Sequence, residues 1–105
     1  MTKEEHIIYW IDSAKRDWHA VQGLYKGKNY LQALFFAHLV IEKLSKAHWV
    51  KDSPGNIPPK IHNLITIITK TKLAFATEDL QFLSQLNQFQ LEGRYPDYMQ
   101  KLYKT

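Results

Sequence analysis

Arg94-Tyr95-Pro96-Asp97 sets a guanidinium in a short polar segment near the C-terminal end of the sequence. A guanidinium can grip a phosphate with two parallel hydrogen bonds, where a lysine ammonium acts as a point charge. Half a chain earlier, Glu42-Lys43-Leu44-Ser45-Lys46-Ala47 offers one acid and two bases at helical spacing. No histidine follows Arg94, so an acid–base partner for it has to come from elsewhere in the chain. His38 and Glu42 are four residues apart, which puts them on one helical face, but two ligands do not define a metal site and a satisfied polar pair is the plainer reading. His62 lies just past a proline-rich stretch, where capping the next helix is the plainer role and phosphate binding the other. Arg94 also reads two ways, as a phosphate ligand or as the cation of an ion pair with Asp97, Glu92 or Asp17.

Most enzyme templates fail. There is no Gly-rich phosphate loop, no His-Glu-x-x-His pair and no Gly-x-Ser-x-Gly elbow, and zero cysteines exclude thiolate zinc sites and disulfides. No metal or cofactor is expected. Absence of cysteine fits a reducing compartment, so a cytoplasmic location is expected. Glu4 and Glu5 stand where a signal peptide would be basic, and no segment has membrane-spanning length.

The elements that must position these residues are helical. Ile7, Ile11, Ala14, Trp18, Val21 and Tyr25 recur at spacings of four and three, one apolar stripe on a long first helix. Trp18 is expected in the core. Gly27 is expected to take the positive φ that closes this helix. Tyr30, Ala33, Leu34, Ala37, Val40, Ile41, Leu44 and Ala47 mark a second helix, made antiparallel to the first by the short loop. Three of the four prolines fall in Asp52-Ser53-Pro54-Gly55-Asn56-Ile57-Pro58-Pro59, a clear loop. Ile61, Leu64, Ile65 and Ile68 indicate a third helix, although these β-branched residues also suit a strand. Thr77-Glu78-Asp79 opens a fourth, carried by Leu80, Leu83, Leu86 and Asn87 and ended by Gly93. Pro96 suits the first turn of a short fifth helix with Tyr98, Met99, Leu102 and Tyr103. The expected fold is all-α, an up-and-down antiparallel bundle of four to five helices forming one domain over residues 1–105.

Fourteen Lys and Arg against ten Asp and Glu leave a formal charge of +4. Lysines 43, 46, 51, 60, 70 and 72 face one acid, Asp52, across the middle of the chain. Such a stretch would draw phosphates or an acidic partner, or is simply a solvated lysine face. A chain this small gains from burying more surface in a dimer. Trp10, Trp18 and Trp49 read as core or interface anchors before base-stacking platforms, and Tyr95, Tyr98 and Tyr103 as either.

Taken in order and spacing, these residues resemble the HEPN family of small all-helical domains. Trp10, Ala14, Asp17, Trp18 and Leu24 resemble its opening, and Tyr30, Ala33, Phe35, Ala37, Glu42, Lys43, Lys46 and Ala47 its second helix. Pro59, His62 and Leu64 resemble its Pro-x-x-His-x-Leu segment, and Arg94 to Asp97 the ending common in the subgroup paired with minimal nucleotidyltransferases. The resemblance implies a dimerising bundle, often encoded beside a minimal nucleotidyltransferase, in pairs that can act as toxin and antitoxin. Many relatives are metal-independent ribonucleases whose Arg and following His meet their copies across the dimer. Here Tyr98, Met99, Gln100 and Lys101 stand where that His would fall, which removes a group contributing on the order of 10²–10⁴ in rate. The leading expectation is therefore a non-catalytic module that binds nucleotide, RNA or a nucleotidyltransferase, with Arg94, Lys43, Lys46, His62, Tyr95 and Asp97 as phosphate-side residues. The alternatives are a divergent ribonuclease pairing Arg94 with a non-local histidine such as His62 or His38, and a ligand-free structural dimer.

Overall fold

The computed structural model describes the backbone of residues 1–92 and the side chains of residues 1–87. Arg94, Tyr95, Asp97 and the expected fifth helix lie outside the described residues. Four helices run in order: α1 (Lys3–Lys26), α2 (Tyr30–Asp52), α3 (Leu64–Thr69) and α4 (Thr77–Glu92). The fold is all-α, with no strand among the described residues, so the β-branched run at 64–69 is helical.

Helix α1 starts where its sequence can satisfy its own orphan amides. Glu5 N donates to Thr2 Oγ1 at 3.1 Å and Thr2 N to Glu5 Oε1 at 3.2 Å, a reciprocal capping box, with Glu4 and Glu5 complementing the helix dipole. It ends in a left-handed turn, but not at the expected residue. Gly27 has φ −81°, and Lys28 takes φ 62° instead. Asn29 N then bonds Leu24 O at 2.8 Å and Lys28 N bonds Tyr25 O at 3.0 Å, the paired bonds of a Schellman ending. A Cβ at Gly27 would meet Asn29 Nδ2 at 3.0 Å, the end of an exposed side chain that can turn aside, so neither backbone conformation nor space demands glycine at this position.

Helix α2 is the central element: α1 packs on it, and α3 and α4 pack on it and on each other. This explains why it is buried on two sides: Leu31, His38, Glu42, Ser45 and Lys46 share one face, while Ala33 and Ala47 fall on the opposite one. Its C-terminal carbonyls are held from α1. Lys3 Nζ donates to Val50 O at 2.6 Å, Ser53 O at 2.7 Å and Gly55 O at 3.1 Å, so one cation satisfies three acceptors at a helix end and the turn beyond.

The apolar core joins α3 to α4. Leu64, Ile68, Leu83 and Leu86 are buried together, with Ile41, Ile65 and Leu73 packed against them. Trp18, expected in the core, is 50% exposed. Its stripe on α1 is wider than the strip that α2 covers, and only Ser13 and Ala14 of that helix are fully buried. No helix among the described residues is long and apolar enough to cross a membrane.

Candidate functional site

Of the polar residues singled out in the sequence, His38, Lys46 and His62 converge on one buried carboxylate, Glu42. Glu42 has a side chain only 4% exposed, and isolating that charge from water would be costly without partners. Two are supplied. Lys46 Nζ, one turn along α2, lies 3.2 Å from Glu42 Oε2, and His62 Nδ1, from the loop after the prolines, lies 3.0 Å from Glu42 Oε1. His38 Nδ1 stands 3.9 Å from the same Oε1. Lys46 also sits over the Trp10 ring, 5.1 Å from its centroid, so α1 contributes a cation–π wall.

A second set of hydrogen bonds holds this group against α3 and α4. Asn87 Oδ1 accepts Leu64 N at 2.7 Å and lies 3.3 Å from His38 Nε2. Asn87 Nδ2 donates to Asn63 Oδ1 at 2.9 Å, and that oxygen also accepts Thr66 N at 3.2 Å. Asn63 is thus the cap of α3, not His62 as the sequence suggested. His62 is spent on Glu42 instead, because the proline loop delivers it to the flank of α2. Asn87 is the residue that sequence reading missed: it was seen only as part of a helix, and the signal available was an amide among apolar α4 positions.

The other sequence candidates are distributed as follows. Lys43 Nζ lies 2.6 Å from Asp17 Oδ2 and 2.7 Å from Ser13 Oγ, so it ties α2 to α1. Lys43 and Lys46 both face carboxylates, and Asp17 takes Lys43 as its cation. Lys51, Lys60, Lys70 and Lys72 are exposed, and Asp52, the lone acid of that stretch, accepts Lys72 N at 2.9 Å. His38 is wholly buried and offers no face to a substrate, whereas the His62 side chain is 57% exposed. No cluster of three or more metal-ligating side chains exists among the described residues.

Chemically, the site presents one imidazole to solvent with one nitrogen committed. A carboxylate on Nδ1 favours the tautomer with its proton there, leaving Nε2 at the opposite edge of the ring to accept or relay a proton, or, in the imidazolium, to donate to an anion.

A bundle whose second helix carries the Glu42-Lys43-x-x-Lys46 face, closed by a histidine from a proline loop, is the class of small helical domain that the sequence resembles. The family model described as HEPN domain matches residues 7–104, and the chain belongs to the HEPN family. No curated protein and no solved structure matches the chain.

Proposed function

We propose that this chain is a HEPN module that binds the phosphate of a nucleotide or RNA at His62. The observation that carries the reading is the Glu42–His62 contact at 3.0 Å, in which a buried carboxylate fixes an exposed imidazole. Fixing the ring removes rotamer entropy that a ligand would otherwise have to overcome, and it aims the far nitrogen outward. Lys60, two residues away on the same loop and exposed, adds positive potential that favours an anion there. Arg94 would serve as the bidentate phosphate clamp. The resemblance of Arg94 to Asp97 to the subgroup paired with minimal nucleotidyltransferases supports a partner of that class, with which toxin–antitoxin function would be shared.

Titration calorimetry with ATP and with a short RNA, at two salt concentrations, tests the reading. Saturable, salt-sensitive binding weakened in both His62→Ala and Arg94→Ala is expected. A wild-type protein that binds neither ligand would sink it.

One observation favours a second reading. The same dyad could supply the imidazole that the segment after Arg94 lacks, making the chain a metal-independent ribonuclease. RNA cleavage that survives chelator, and is lost in His62→Ala and on a substrate lacking the 2′-hydroxyl, would establish it. Binding without cleavage leaves the first reading.

A further inference from the structure

His62 is delivered to α2 by residues 61–63, which lie outside any helix. Such a segment has no run of helical backbone bonds to fix its course, so the direction of the imidazole depends on what its neighbours grip. The anchors diverge. His62 turns to α2, with Nδ1 3.0 Å from Glu42 Oε1, whereas Asn63 and Leu64 turn to α4. Both of the latter end on one side chain. Asn87 Nδ2 donates to Asn63 Oδ1 at 2.9 Å, and Asn87 Oδ1 accepts Leu64 N at 2.7 Å. The orientation of that amide is determined, because a backbone N–H can only donate and so must face the oxygen. The same oxygen lies 3.3 Å from His38 Nε2 on α2. One amide thus grips the two residues that follow His62 and touches the helix that bears Glu42.

We propose that Asn87 is a positioning residue for His62. Leu64 is also held by packing against Ile68, Leu83 and Leu86, but apolar contact is non-directional and leaves the backbone free to tilt. Two hydrogen bonds to opposite ends of a planar amide remove that freedom. A displacement of about one ångström would carry the 3.0 Å contact to Glu42 beyond hydrogen-bond reach, so the loop must be held this closely for the carboxylate to fix the ring.

The bearing of Asn87 on function rests on the reading of His62 as a phosphate ligand. Asn87 belongs to α4, and Arg94 follows two positions after Glu92, the last residue of that helix. The loop that bears one proposed phosphate ligand is therefore bonded to the helix that leads to the other. A ligand held at His62 favours the Asn87 contacts by the same factor as those contacts favour the ligand.

NMR of the histidine ring nitrogens in the full chain, without ligand and at mildly alkaline pH where imidazoles are neutral, tests the positioning directly. In the wild type, His62 is expected to carry its proton on Nδ1, facing Glu42. In Asn87→Leu the proton is expected to move largely to Nε2, the tautomer that a free imidazole prefers. Ile68→Val loosens the same apolar cluster but leaves the bonds of the amide alone, and should keep the proton on Nδ1. Should Asn87→Leu fail to fold, Asn63→Ala cuts the Nδ2 bond from an exposed position and should move the tautomer the same way. Calorimetry with ATP and with a short RNA should show binding weakened about fivefold or more in Asn87→Leu, the lower end of coupling between sites, and unchanged in Ile68→Val. A wild-type proton on Nε2, a proton that stays on Nδ1 in Asn87→Leu and Asn63→Ala alike, or a shift as large in Ile68→Val would overturn the proposal. A wild type that binds neither ligand defeats the phosphate reading instead, and the ring signature still decides for or against Asn87.

Discussion

His62 Nδ1 lies 3.0 Å from Glu42 Oε1, joining a ring that is 57% exposed to a carboxylate that is 4% exposed. Twenty residues of chain, including the proline loop, separate the two. The contact makes Glu42 the point at which interior and surface chemistry meet, since the same carboxylate balances the buried Lys46.

Removing that charge should cost more than removing the pair. In Glu42→Gln the Lys46 ammonium stays buried without a counter-ion, and a loss of about 3–5 kcal/mol in urea unfolding is expected. The double variant Glu42→Gln/Lys46→Met should regain part of it. Equal stability of the single variant and the wild type would show that Lys46 escapes to water.

Asn87 ties three elements through one amide. Asn87→Leu leaves the Leu64 amide without its acceptor, in a residue with no exposed surface, and about 1–3 kcal/mol of stability should be lost. Hydrogen exchange at the Leu64 amide gives the sharper readout, because it should accelerate beyond what the global destabilisation accounts for.

His62 should be separable from folding. Its exposed side chain predicts that His62→Ala shifts the unfolding midpoint little while weakening ATP or RNA binding about tenfold, the scale of one charge-assisted hydrogen bond. A variant that unfolds as readily as Glu42→Gln but binds normally would reassign the ring to a structural role.

Lys28 holds the left-handed position at the end of α1 with φ 62°. A glycine there carries no Cβ penalty, so Lys28→Gly should stabilise by about 0.5–1 kcal/mol, read as a raised melting temperature. A fall in melting temperature would mean that glycine's extra freedom in the unfolded chain outweighs the strain it relieves.

What could be read from the sequence was local. The turn formers at 27–29 and the prolines at 54, 58 and 59 break the chain where it breaks, and apolar spacing marks α1 and α2 as helices. Each depends on residues within about a turn of one another, where sequence distance and spatial distance agree. Even there, the left-handed residue that closes α1 is Lys28 and not the glycine beside it.

Helix periodicity tells which residues share a face but not how much of that face a neighbour covers. Trp18 sits in the same stripe as buried Ala14, and its exposure followed only from the line along which α2 lies. Glu42, Lys43 and Lys46 were visible as a charged run, but that their partners are His62, Asp17 and Glu42 itself depended on how the loop and α1 pack. Asn87 looked like any polar helix residue until α4 set it beside Asn63 and Leu64. Sequence alone therefore determined α1, α2 and the loops that follow them, because hydrogen bonds and caps within a turn are local. Tertiary structure decided which charges neutralise each other and which apolar residues stay bare, because burial is a property of the neighbours a residue acquires.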